Sequence, residues 1–214
     1  MKYIIKQSSP TSLENYKKEI GACFDELPKN VKDELRHSLF DEQGGICCYC
    51  GKRISDNYTS VIEHLYPRGL KQYVHLQLEY TNLLCSCDGG VSDRTGKSKA
   101  EKLKFPSYCD NKKNNRVLKV TPLCSDCEEL FMYDEEGHIY GATDAACEAI
   151  ETFGLDCVTL VNQRRAAIEP YIEQQLSDVE WNKEVHKLSQ RFDGLFLPFC
   201  FAVIYYIKNF KMAS

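Results

Sequence analysis

The sequence predicts an α+β protein, mostly helical. A small metal-bearing core sits between an N-terminal helical segment and a C-terminal helical bundle. Three observations carry that expectation. Apolar residues recur at helical spacing before Gln43 and again beyond Thr143. Only short β-type runs lie between these regions. That middle stretch also holds closely spaced cysteines, Cys47, Cys48, Cys50, Cys85, Cys87 and Cys109.

Residues 1–43 form the expected N-terminal segment, helical from about Thr11. Leu13, Tyr16, Ile20, Phe24 and Leu27 share one helical face until Pro28 breaks the run. Val31, Leu35, Leu39 and Phe40 mark a second helix, which Gly44-Gly45 ends. Residues 44–120 form the expected core. In it, Cys47 to Gly51 is a tight turn, and Val61-Ile62 is a β-type run leading into Glu63-His64. Tyr80 to Leu84 starts another short element. Asp88 to Pro106, rich in Gly, Ser, Lys and Asp, predicts a mobile loop. Cys109 to Asn115 predicts a compact helical turn.

Residues 121–214 begin with a hairpin over Phe131 to Tyr140, turning at Glu136-Gly137. From Thr143 the pattern is helical, with Ala149, Ile150, Phe153, Val158, Leu160, Val161, Ile168 and Ile172 as buried stripes. The apolar run Leu195 to Ile207 falls short of the roughly 20 residues a membrane span needs. No membrane association is expected. The run carries more apolar surface than a small core requires, which predicts that it docks an ATPase subunit, with completion of the chain's own core as the alternative.

The chain has 214 residues and 12 cysteines. Its first twenty residues lack the apolar stretch of an export signal, so a cytoplasmic, reducing setting is expected. There the cysteines serve as thiols or metal ligands rather than a disulfide framework. Charge is uneven. Val61 to Val120 carries eleven Lys and Arg against six Asp and Glu, in a chain of net charge −4. A basic middle in an acidic chain predicts a face for a polyanion.

Zinc takes four soft ligands in a tetrahedron, and Cys47-x-x-Cys50 supplies one half-site. The other half comes from among Cys85, Cys87 and Cys109. Adjacent cysteines seldom both turn to one metal, so Cys48 is not expected to bind. Cys124-x-x-Cys127 has no evident second pair.

Between the half-sites lies Val61-Ile62-Glu63-His64-Leu65-Tyr66-Pro67-Arg68. Downstream come Asn82-Leu83-Leu84, Cys87 and Cys109-Asp110-Asn111-Lys112-Lys113. In this order the elements resemble the HNH endonuclease family, over roughly Gln43 to Asn115. A narrower similarity is to the PtuB-type HNH proteins of retron and Septu anti-phage systems. It includes Gly45 to Cys50, Glu79 to Leu84, Pro122-Leu123, Gly137-His138-Ile139 and Pro198-Phe199-Cys200.

The resemblance implies a ββα-metal core with a structural zinc on Cys47, Cys50, Cys87 and Cys109. It implies His64 as the base that takes a proton from water, and Glu63 and Asp110 as ligands of a catalytic magnesium or manganese ion, with Asn111 a rival for the Asp110 role. Asn82 is expected to orient His64 by a side-chain or backbone hydrogen bond. Arg68, Lys112 and Lys113 are expected to hold phosphates. The implied partners are DNA or RNA, a PtuA-type ATPase and a retron reverse transcriptase/msDNA complex. Glu63 stands where the family has His or Asp, and Asp110 where it often has His or Asn; both keep a metal-binding oxygen. The competing class is a catalytically inactive, zinc-stabilised nucleic-acid-binding or adaptor module. Metal-dependent cleavage separates the two.

Overall fold

The computed structural model describes residues 1–212. The first helix, α1 (Thr11–Tyr16), is shorter than the apolar spacing predicts. The chain turns at Gly21, whose φ of 81° favours glycine. Tyr16 Oη donates to the Cys23 carbonyl at 3.0 Å, folding the segment back. Ile20 is consequently exposed, while Leu13, Tyr16, Phe24 and Leu27 still reach the core. Helix α2 (Lys29–Glu42) follows Pro28 and buries Val31, Leu35 and Leu39 along one face. At its end the buried Glu42 pairs with Lys6 and accepts from the Gln7 amide at 2.9 Å and the Tyr80 hydroxyl at 3.1 Å. That carboxylate ties the extended N-terminus to the middle of the chain.

The middle segment is built on an antiparallel hairpin, β1 (Val61–His64) with β2 (Leu83–Ser86). Its register sets Glu63 opposite Leu84 and His64 opposite Leu83. Gln43 clamps β2 from the side, since its amide donates to the Cys85 carbonyl at 2.7 Å and accepts from the Cys85 N–H at 2.7 Å. Asp88 to Pro106 contains two short helices, α3 (Val91–Arg94) and α4 (Lys99–Lys102). Local capping explains them. Asp88 accepts from the amides of Gly90 and Ser92, and Ser98 with Glu101 forms a reciprocal capping box. The short helix α5 (Asp110–Lys113) follows at Cys109.

A second hairpin, β3 (Phe131–Tyr133) with β4 (Ile139–Gly141), turns near Glu136-Gly137 as the sequence predicts. Helices α6 (Asp144–Phe153), α7 (Val158–Ile172), α8 (Asp178–Ser189) and α9 (Cys200–Tyr206) complete the chain. Leu160 and Ile168 of the predicted stripe are buried, whereas Val158 is exposed.

One hydrophobic core runs from Met1 to Ala202 and draws on all three segments. A smaller cluster gathers Ile168, Trp181, Leu188, Val203, Tyr206 and Ile207. Of the two readings of Leu195 to Ile207, a docking surface or part of the core, the structure favours the core. Phe199, Cys200, Phe201, Ala202, Val203, Tyr206 and Ile207 are all buried. Their apolar surface is spent inside the chain, and the Phe201 ring packs so close to Gly51 that a Cβ there would lie 2.3 Å from it. Among the described residues no helix is long and apolar enough to cross a membrane.

Candidate functional site

Four buried thiols meet at one point. The sulfur atoms of Cys47, Cys50, Cys87 and Cys109 all lie within 4.8 Å of one another. A tetrahedron with arms of about 2.3 Å has edges of about 3.8 Å. The Cys47–Cys109 and Cys50–Cys87 separations are 3.8 Å and 3.9 Å, so the donor set fits a zinc ion. Four thiolates leave no open position for water, which suits a structural site. Cys48 and Cys85 stand outside this group, and burial pushes the Cys85 thiol up to about 12.

The cluster fastens three pieces of chain: the 47–50 turn, the end of β2 and the start of α5. Cys109 adopts a φ of 51°, a conformation that side chains rarely take, and its amide donates to the Phe153 carbonyl at 2.7 Å. Strain is thus placed at a residue fixed both through its sulfur cluster and by its backbone. Gly89 is needed nearby, because a Cβ at that position would lie 2.3 Å from the Tyr108 carbonyl oxygen.

Glu63 and His64 end β1 and are both buried, at 4% and 6% exposure. Glu63 Oε1 accepts from the Tyr49 hydroxyl at 2.9 Å and from Lys113 Nζ at 2.6 Å. Burial pushes the Glu63 carboxyl up to about 8; the Asp110 carboxyl beside it pushes the same way, and the Lys113 ammonium pulls against them. Two neighbouring carboxylates in a buried setting make a fitting pair of oxygen ligands for a hard divalent cation.

His64 Nε2 faces the Gln77 carbonyl at 3.0 Å. A carbonyl only accepts, so Nε2 carries the hydrogen and the lone pair of the neutral ring is on Nδ1. Burial brings the imidazole down to about 4; the Gln77 carbonyl opposes this, while the charges of Arg68 and Lys113 reinforce it. The ring is therefore neutral near pH 7. Phe24 braces it edge-on, with centroids 4.5 Å apart.

Among the described residues, the polar side-chain atoms both sealed from solvent and without a partner are Ser9 Oγ, Ser12 Oγ, Gln163 Oε1 and Arg164 Nη2. His64 Nδ1 makes no hydrogen bond within the described residues, and both donors to Glu63 converge on Oε1.

Two expectations need correction. The Asn82 side chain does not hydrogen-bond His64, although its backbone carbonyl accepts from the amide of Leu65, the next residue, at 3.0 Å. The Asn82 side chain accepts from the Tyr66 amide at 2.8 Å and donates to the carbonyls of Tyr66 and Leu76, both at 3.1 Å. It closes the loop after β1, and Gln77 takes the orienting role. Lys113 is not a surface phosphate ligand. It is 3% exposed, with its ammonium on Glu63 and on the His64 carbonyl at 2.6 Å. Asn111 donates to the Gly89 carbonyl at 3.3 Å, whereas Asp110 acts on Glu63. Arg68 and Lys112 are exposed, and Arg68 pairs with Asp25 at 2.6 Å. Such a surface pair is weak enough to yield to a phosphate.

Tyr49 and Gln77 escaped the sequence reading as site residues, and Phe24 was read only as an apolar core position. Gln77 acts through its backbone, which leaves no side-chain signal. Tyr49 lies inside the Cys47-x-x-Cys50 turn, where the cysteines account for the motif.

No family model matches the chain. A curated relative from Vibrio cholerae serotype O1 biovar El Tor, named "Retron Vc95 putative HNH endonuclease", is 29% identical over 143 residues. The match covers 62% of this chain and 62% of that protein, so the chain spans under two thirds of its relative's length. The likeness is to a protein named as a putative HNH endonuclease of a retron.

Proposed function

We propose that the protein is a metal-dependent HNH endonuclease that hydrolyses nucleic-acid phosphodiester bonds as part of an anti-phage defence system of the retron or Septu type. One observation carries this reading: a neutral His64, its Nε2 held by the Gln77 carbonyl and its Nδ1 without a hydrogen-bond partner, directly after Glu63 of the Glu63–Asp110 carboxyl pair. Phosphodiester hydrolysis needs a base for the attacking water and positive charge at the phosphate. His64 Nδ1 takes the proton from water as its oxygen bonds to phosphorus and the P–O bond to the leaving oxygen breaks. Nε2–H stays on the Gln77 carbonyl, so charge developing on the ring remains partnered. Glu63 and Asp110 would hold a magnesium or manganese ion, which when bound neutralises charge on the scissile phosphate. Arg68 and Lys112 supply exposed cations for the flanking phosphates.

The defence role rests on the retron named in the relative's description. A PtuA-type ATPase and a retron reverse transcriptase/msDNA complex are the partners this reading proposes.

The test is cleavage of DNA and of RNA with magnesium or manganese, alone and with the ATPase. The His64→Ala variant should lose about 10²–10⁴-fold in rate or more, while keeping its zinc and its melting temperature. Near-wild-type cleavage by that variant would place the base elsewhere. A zinc-loaded wild type that cuts nothing in any of these assays points to the inactive adaptor.

A further inference from the structure

Both donors to Glu63 Oε1 hang from the thiol cluster. Tyr49 sits between Cys47 and Cys50, the two ligand candidates of the knuckle turn. Its ring stacks on Phe153 with centroids 3.9 Å apart, and Phe153 also receives the Cys109 amide through its carbonyl. Lys113 lies one helical turn after Cys109 and donates its own amide to the Cys109 carbonyl at 3.0 Å. From these two anchors the Tyr49 hydroxyl and the Lys113 ammonium converge on one oxygen, at 2.9 Å and 2.6 Å. Lys113 also holds the His64 carbonyl, so the backbone of the base is fixed by the same ammonium.

The asymmetry is informative. Oε1 has two protein donors, and Oε2 has none. A carboxylate held by one oxygen cannot rotate freely about its side chain, and its other oxygen is aimed. Here Asp110 stands beside the same carboxyl group. Tyr49 is fully buried, so its hydroxyl has little reason to be there other than this bond.

We propose that Tyr49 is a positioning residue: with Lys113 it clamps Glu63 Oε1 and so presents Oε2 to the catalytic cation, coupling the structural zinc site to the catalytic one. The inference rests on the nuclease reading, since it needs a divalent cation at Glu63 and Asp110. It assigns the zinc knuckle a task beyond stability. The knuckle turn sets the height of Tyr49, and the Cys109 end sets α5, so the zinc cluster fixes the distance between both donors and the carboxylate. Groups that orient a metal ligand typically change metal affinity by about 10–100-fold when removed.

Tyr49→Phe tests this, because it removes the hydroxyl and keeps the ring on Phe153. Binding of manganese alone, followed by the electron spin resonance of free and bound ion, reads the effect without any cleavage assay. The variant should keep one zinc per chain and bind manganese about 10–100-fold more weakly. Its cleavage should recover toward the wild-type rate at saturating manganese, whereas a defect in the base would persist there. If Tyr49→Phe does not fold, Phe153→Leu carries the test, because it loosens the ring and leaves the hydroxyl; weaker manganese binding is again expected. Unchanged affinity in the folded variant, beside a wild type that binds manganese, overturns the clamp and leaves the nuclease reading intact. A wild type that neither binds manganese nor cuts overturns both.

Discussion

Glu63 and His64 adjoin in sequence, yet burial acts on them in opposite directions. It favours the neutral form of each, and therefore raises the acid and lowers the base. For His64 the result suits a proton acceptor, which must be neutral before the reaction. For Glu63 it creates a competition, since a cation binds the ionised carboxylate and must displace a proton below about pH 8. The sign follows directly. Between the ordinary carboxyl value and about 8, raising the pH removes that proton and strengthens binding, by about tenfold per unit for one proton. Above about 8 the dependence flattens. In the cation-free protein the same raised value contributes stability that is present at low pH and lost as pH rises through about 8. Manganese titrations at pH 6, 7, 8 and 9 should show this slope and its plateau. An affinity that is flat from pH 6 to 8 would mean that Glu63 is already ionised, with the Lys113 pair outweighing burial.

At the scale of elements, the zinc knuckle, the β1–β2 hairpin and α5 act as one unit. Cys50→Ser replaces a soft thiolate with a hydroxyl, a far poorer zinc ligand. The three joined pieces then lose their common anchor. The variant should lose most of its zinc and several degrees or more of melting temperature, measured by metal analysis and thermal unfolding. Retention of full stability without zinc would show that the thiols pack well enough as small apolar groups.

This unit was also the part most legible in the sequence. Cysteine spacing marks the Cys47–Cys50 half-site, the family resemblance selects Cys87 and Cys109 for the other, and the β-type run before Glu63-His64 marks the strand. The second hairpin was equally visible, through Gly137 and its flanking aromatic residues. The rest was obscured for physical reasons. The Leu13–Leu27 spacing fits one helix, but Gly21 and the Tyr16–Cys23 bond turn the chain, so equal spacing survives without a continuous helix. The charge of Lys113 suggested a surface, and only the fold shows that Glu63 awaits it inside. Asn82 has the residue type of an orienting group, but the loop carbonyls and amide around it absorb all its hydrogen bonds.

At the scale of the whole molecule, α9 decides whether the C-terminal third is an attachment or part of the core. Phe201 packs on the Gly51 side of the knuckle and against Tyr133 of β3, with ring centroids 5.8 Å apart. Val203, Tyr206 and Ile207 complete the smaller cluster with Trp181 and Leu188. Burying a large apolar side chain contributes roughly 1.5–3 kcal/mol. Phe199, Phe201, Val203, Tyr206 and Ile207 together then supply on the order of 10 kcal/mol, comparable with the typical stability of a whole domain. Deleting all residues after Asp193 should therefore do more than remove a docking helix. The truncated chain should aggregate or unfold on expression, and its zinc content should fall because the knuckle loses the Phe201 wall. Solubility, zinc analysis and circular dichroism of the truncated protein measure this. A soluble, zinc-loaded, cooperatively unfolding product that has lost only its ATPase partner would restore the docking role of this segment and refute its place in the core.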